Sequence, residues 1–142
     1  MAEISRSARD YLAGVTPARR RADAERLLEL MARATGETPY VEGGAVGFGR
    51  YRYRYVSGRE GDAAAAGFAA RTAATIVYLL DGTGRYADRL ARLGRHTAGV
   101  GSIQIKDLGA VDLDVLESIV AESFRRLTAG TYTLRAREGT PD

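Results

Sequence analysis

The chain has 142 residues, room for one domain with a single core and not for two. Hydrophobic residues make up 45% and charged residues 27%, and the net charge of +3 is carried almost wholly by arginine, Lys106 being the one lysine. With no cysteine and one histidine, His96, the composition excludes disulfides, zinc fingers, iron–sulfur clusters and a cysteine nucleophile.

Residues 1–10 lack the apolar stretch of a signal peptide, and the longest apolar run, Ile76 to Leu80, is far too short to cross a bilayer. A cytoplasmic protein with no membrane partner is expected. Ser7 to Val15 has room for one or two helical turns. Thr16-Pro17 then restarts the helix, with threonine as cap and proline at the first helical position. Ala24, Leu27, Leu28, Met31 and Ala34 recur at i, i+3, i+4, i+7, the stripe of an amphipathic helix. Its outer face is read as Arg19, Arg20, Arg21, Arg26 and Arg33 interleaved with Asp23, Glu25 and Glu29, and Gly36 as its stop.

After Pro39 the period changes to two. Glu42-Gly43-Gly44 reads as loose, and Ala45 to Val56 as one strand. Strict alternation places Tyr51, Tyr53 and Tyr55 on one face and Arg50, Arg52 and Arg54 on the other. It would also put Val46 and Phe48 with the arginines. A bulge between Gly47 and Gly49, moving Phe48 to the tyrosine face, is therefore expected. Residues 57–62 form a turn, Ala63 to Arg71 a returning strand and Ala74 to Leu80 a third. Asp81-Gly82-Thr83-Gly84 is a turn able to cap a helix lined by Tyr86, Leu90 and Leu93 and ended by Gly94. Gly99 to Gly101 leads to a fourth strand, Ser102 to Lys106. Asp112 caps the last helix, whose stripe is Leu116, Ile119, Val120, Phe124 and Leu127.

This order predicts an α+β fold: a two-layer sandwich whose four-stranded, mainly antiparallel sheet carries helices on one face. Residues 1–127 form the single domain and 128–142 a flexible tail.

With the elements placed, the chain resembles the YdhG-like family, domain of unknown function DUF1801. The resemblance lies in Val46-Gly-Phe-Gly49, Tyr51-Arg-Tyr-Arg-Tyr55, Ser57-Gly-Arg-Glu-Gly-Asp62, Gly67-Phe68 with Arg71, Val77-Tyr-Leu79, Leu93-Gly-Arg-His96, Gly101 to Ile105 and Asp112 to Glu117. It covers roughly residues 7–127. It implies a small bacterial α+β domain related in shape to frataxin, one branch being described as an iron chaperone. The chain departs from the family pattern in three places. Glu42-Gly43-Gly44 stands where a tryptophan is common, Ala63 to Ala66 where an aromatic is, and Thr97 and Val100 where lysines follow the histidine. If those groups shape the family's ligand site, this chain has a wider, less basic one or has lost it.

The functional reading is a non-enzymatic protein that binds an anionic small molecule or a protein partner on the open sheet face. Arg52, Arg54, Arg59 and Arg71 would supply charge, with Tyr53 and His96 at the rim. Arg59 and Glu60 could also simply pair and pin their turn. Nucleic acid is disfavoured, because single-strand binders put aromatics and cations on one surface while alternation separates them here. A frataxin-like iron-binding protein is an alternative by resemblance alone, and iron is the only cofactor implied. An enzyme using tyrosine and histidine as acid–base groups is another, although neither Ser57 nor Ser102 sits in a nucleophile elbow and no catalytic or metal residue is assigned.

Overall fold

In a computed structural model of the chain, residues 6–133 are described, so the part of the tail beyond 133 lies outside them. Helix α1 spans Arg6–Ala13 and α2 Ala18–Thr35. The apolar stripe of α2 is buried as its spacing predicts, through Ala24, Leu27, Leu28, Leu30 and Met31. Gly36 ends it in the left-handed conformation (φ 72°), its N–H donating to the Ala32 carbonyl at 2.8 Å.

The start of α2 differs from expectation. Pro17 stands at the cap position rather than inside the helix, and its carbonyl accepts from the N–H groups of Arg20 and Arg21. No side chain caps this end. Arg20 and Asp23 are also not on the outer face: each is 6% exposed. The Arg20 guanidinium donates to the carbonyls of Lys106 (2.8 Å) and Ala73 (3.2 Å) and lies 3.6 Å from Asp23, which accepts the Leu108 N–H at 3.0 Å. The pair ties the head of α2 to the chain leaving one strand and entering another. Ends of strands leave carbonyls unpaired, and an arginine fork can satisfy two of them at once.

Eight strands form where four were expected. They are β1 (Tyr40–Glu42), β2 (Ala45–Phe48), β3 (Tyr51–Arg54), β4 (Glu60–Ala63), β5 (Ala66–Ala70), β6 (Thr75–Tyr78), β7 (Thr97–Ala98) and β8 (Ser102–Ile105). Six make an antiparallel sheet in the order β1-β2-β5-β6-β8-β7, and β3-β4 form a separate two-stranded hairpin. Strand β1 went unrecognised because Glu42-Gly43-Gly44 is a tight turn rather than a loose loop. Both glycines hold positive φ, as a two-residue hairpin turn between Glu42 and Ala45 requires.

The expected bulge is absent. Phe48 pairs with Ala66 and Tyr51 with Ala63, so two residues oppose two across the interruption and the register is unbroken. The chain solves its parity problem by torsion instead. Gly49 takes φ 66°, and beyond it the buried side of the ribbon changes from Val46 and Phe48 to Tyr51. The hairpin β3-β4 is thus an arm continuing β2 and β5 with its faces exchanged.

The remaining helices are α3 (Ala87–Leu93), preceded by a 3-10 turn at Gly84–Tyr86, and α4 (Leu113–Thr128). Asp112 caps α4, its Oδ1 accepting from the N–H groups of Asp114 (3.0 Å) and Val115 (3.2 Å). Val46, Phe48, Phe68, Val77, Ile103 and Ile105 from the sheet join residues of all four helices in one core. Arg33 of α2 grips Glu117 of α4 through both Nε and Nη2 at 2.9–3.2 Å. A second, smaller cluster of Tyr51, Ala65 and Leu127 fixes the base of the arm, with Phe124, Leu80 and Tyr132 packed against it. Tyr132, assigned to the tail by sequence, docks on the outer edge of β3: it donates to the Arg52 carbonyl and accepts from the Arg54 N–H, both at 2.8 Å. Among the described residues no helix is long and apolar enough to cross a membrane.

Candidate functional site: the cleft beside the arm

Along each strand, alternate residues point away from the core. Cross-strand pairing then sets Tyr40, Gly47, Gly67, Tyr78 and Ser102 side by side in one row over five strands. The two glycines leave the middle of that row without side chains, and a tyrosine stands on either side. One row further lie Glu42, Ala45, Ala69, Ile76 and Gln104.

Where the arm leaves the sheet, residues Ala63 to Ala66 border this gap. The result is an open cleft of about 420 Å³, lined also by Leu80 and Gly101. Its size and largely apolar lining with a few polar groups suit a small organic molecule. The Tyr40 ring lies against Gly47, with Cζ 3.0 Å from where a Cβ would stand, so the glycine makes room for the ring. The Tyr40 hydroxyl donates to the Gly49 carbonyl at 2.7 Å, which fixes the ring as one wall. Partial burial pushes the pKa of that hydroxyl above its ordinary value. Across the cleft, the Tyr78 and Ser102 hydroxyls take no hydrogen-bond partner among the described residues.

Arg50 stands at the rim. Its Nη1 reaches the Tyr40 hydroxyl and both carboxylate oxygens of Glu42, each at 3.4 Å, long for such bonds.

The six residues singled out by sequence do not converge on this cleft. Arg52, Tyr53 and Arg54 lie on the arm. The two arginines are exposed as alternation predicts, but both are engaged: Arg52 with Glu60 (3.1 Å) and Asp62 (3.5 Å), Arg54 with Glu60 (3.2 Å). Glu60 therefore pairs with these two across the hairpin, and its carboxyl pKa is lowered by their hydrogen bonds. Arg59 lies over the Tyr55 ring, 5.0 Å from its centre, at the arm's tip beside the exposed Val56. Arg71 follows β5 at the end away from the arm, beside Gly44, and meets no carboxylate among the described residues. His96 is half-buried in the turn between α3 and β7, its Nδ1 2.8 Å from the Gly94 carbonyl.

A second polar group went unread in the sequence. Asp81 is buried between Tyr86, whose hydroxyl donates to it at 2.5 Å, and Ser123, whose hydroxyl donates at 2.6 Å. Its contacts close it off from solvent, and it joins the Asp81 turn to α4. Among the described residues no group of three or more histidines, aspartates and glutamates is placed to hold a metal ion.

Compared with known proteins, the chain matches no family model, no curated protein and no solved structure.

Proposed function

We propose that this chain is a non-enzymatic binding module of YdhG-like type that holds a small molecule in the cleft between the open sheet face and the arm. The observation that carries the reading is the side-by-side placement of Gly47 and Gly67 between Tyr40 and Tyr78. Four neighbouring strands give up side chains at one spot, or set tyrosines around it. The space over Gly47 is taken by the Tyr40 ring and the Ala64 methyl, which form one wall, and the cleft opens between that wall and Tyr78. The run Ala63 to Ala66, read in sequence as a widened site, borders the same space.

The binding role on the open face is kept from the sequence reading, and its centre moves from the arm arginines to the cleft. Arg52 and Arg54 already hold carboxylates, so an anion would have to compete with partners tethered a few ångströms away. The family reading rests on the ordered motifs from Val46 to Glu117.

Amide chemical-shift mapping on the isotope-labelled full chain tests the proposal, using a mixed set of small fragments, charged and neutral, aromatic and aliphatic. Saturable shifts centred on Gly47, Gly67, Gly101 and Ser102 are expected, and Ser102→Trp, which fills the cleft from an exposed face, should abolish them while leaving the remaining spectrum in place. Shifts that centre on the arm or on the Arg71 end, or no saturable shifts from any fragment, would overturn the reading.

A further inference from the structure

Independently of the cleft, we infer that the free edge of β4 is a strand-addition site for an extended, lysine- or arginine-bearing segment of a partner protein.

The edge follows from the hydrogen bonds of the arm. In an antiparallel hairpin, alternate residue pairs exchange bonds between the strands, and the pairs between them turn their backbone groups outward. Tyr132 takes the Arg52 carbonyl and the Arg54 N–H, so these two face away from β4. The Tyr55 N–H donates to the Arg59 carbonyl at 2.8 Å, which sets the same phase from the arm's tip. Register pairs Arg52 with Asp62 and Arg54 with Glu60. The N–H and C=O groups of Glu60 and Asp62 therefore point out from the opposite edge. Among the described residues these four groups take no hydrogen bond, and both residues are exposed.

The lane beside β4 is open because β6 leaves it. Strand β6 runs along β5 as far as Tyr78, opposite Gly67. Beyond it Leu80 packs against the cluster of Tyr51 and Ala65, and Asp81 is buried with Tyr86 and Ser123. The chain thus turns to the helix side instead of continuing along the arm. A strand arriving there would sit as Tyr132 already sits on the other edge, with four main-chain bonds in place of two.

The occupant follows from charge. Residues of an added strand opposite Glu60 and Asp62 lie on the face that those acids share with Arg52 and Arg54. A second copy adding its own β4 would bring acid against acid: antiparallel pairing about Gly61 sets Glu60 opposite Asp62, and pairing about Asp62 sets that residue opposite itself. Like charges directly opposite are destabilising, and charged edges suppress self-pairing in this way. A lysine or arginine instead meets the acids from the side away from Arg52 and Arg54. A carboxylate accepts from several donors, so the existing pairs stay in place. On the other face the incoming strand meets Gly61, over which the Tyr53 ring lies, and Ala63, small residues that suit an apolar neighbour. The partner segment therefore alternates basic and apolar residues.

The test uses the isotope-labelled full chain and three peptides: acetyl-Thr-Lys-Val-Lys-Val-Lys-Thr-amide, its counterpart with glutamate for lysine, and the first with its lysine amides N-methylated. The lysine peptide should shift the Glu60, Gly61 and Asp62 amides saturably and slow exchange at the Glu60 and Asp62 N–H groups. The glutamate peptide should bind about tenfold more weakly, and the N-methylated one should not bind. Asp62→Pro removes an outward donor and leaves the inward bonds of Tyr53 and Gly61, so it should abolish binding while those two amides stay protected. Asp62→Asn keeps the backbone groups and should retain binding with a smaller preference for lysine over glutamate. If Asp62→Pro unfolds the arm, the N-methylated peptide carries the backbone test alone. A silent lysine peptide, an N-methylated or glutamate peptide that binds as well, or shifts centred on Gly47 and Gly67 would overturn the proposal. So would a dimer of the free chain in sedimentation that Asp62→Pro removes, which would assign the edge to a second copy.

Discussion

The ring of Phe124 occupies the space a side chain on Gly49 would need, its Cε1 only 2.7 Å from the ideal Cβ position. Gly49 also holds φ 66°, which costs an L-residue energy even in open space. Helix α4 thereby reads the backbone torsion that exchanges the faces of the β2–β3 ribbon, and the arm's direction depends on both residues. Gly49→Ala should destabilise the protein by about 2–4 kcal/mol, summing the left-handed penalty and the overpacking. Urea denaturation of the single variant, of Phe124→Leu and of the double variant checks the coupling. Phe124→Leu should return part of the Gly49→Ala cost. Strictly additive losses would show that the ring and the torsion are independent.

Arg20 and its neighbour Arg19 make a second comparison. Arg20 is buried and bonded to two strand-end carbonyls, with Asp23 beside it, whereas Arg19 is exposed. Arg20→Met removes the guanidinium and leaves Asp23 buried without its cation, so a loss of about 3–5 kcal/mol is expected. Arg19→Ala should stay within about 0.5 kcal/mol of the parent. Equal effects from the two variants would refute the structural role given to Arg20.

These cases show what was legible in the sequence. The stripes of α2 and α4, the Gly36 stop and the Asp112 cap could be read because helix burial repeats with a period that apolar residues display. The same period held signals that charge and polarity concealed. Arg20 continues the stripe of Ala24, Leu27 and Met31 one turn upstream, and Ser123 falls between Val120 and Leu127 on the buried line of α4. A polar residue on an apolar stripe marks a buried bond rather than an outer face. Strands β1 and β7, of three and two residues, are too short to show alternation. The face exchange at Gly49 shows in the sequence as a break of parity between Phe48 and Tyr51, but alternation cannot tell a single torsion from a bulge. The cleft could not be read at all from either strand alone, because Gly47 and Gly67 become neighbours only once the register of the β2–β5 pair is known.

The buried trio of Asp81, Tyr86 and Ser123 gives an alkaline signature. Burial, and then the hydrogen bond to Asp81, push the Tyr86 pKa far above its ordinary value. A folded-state pKa raised above the unfolded one contributes stability that is fully present below the unfolded value. That stability is lost as pH rises beyond about 10, where unfolded tyrosine ionises. Alkaline unfolding should therefore be steeper in the parent than in Tyr86→Phe. The variant should lose about 1–2 kcal/mol at neutral pH through the missing bond. Tyrosinate absorbance should show a fraction of the tyrosines titrating only with unfolding, and that fraction should shrink in the variant. Identical alkaline profiles would exclude the role assigned to Tyr86.

At the acid end the arm is the sensitive element. Hydrogen bonds from Arg52 and then Arg54 hold the Glu60 carboxyl below its ordinary pKa. A depressed folded-state value contributes stability that is present above the unfolded pKa and lost as pH falls through the folded one. The pairs are exposed, so the effect on global unfolding is small and weakens with salt. The local effect is the measurable one, because the arm has only two strands and depends on Tyr132 at its outer edge. Protection of the Tyr53 and Gly61 amides, corrected for intrinsic exchange, should fall below pH about 4, where unfolded glutamate takes up its proton. Glu60→Gln should show the faster exchange already at neutral pH and lose most of that acid response, while the Gly47 and Gly67 amides of the main sheet stay protected in both. Loosening that spreads to the main sheet at the same pH would show that the arm and the cleft floor open as one unit.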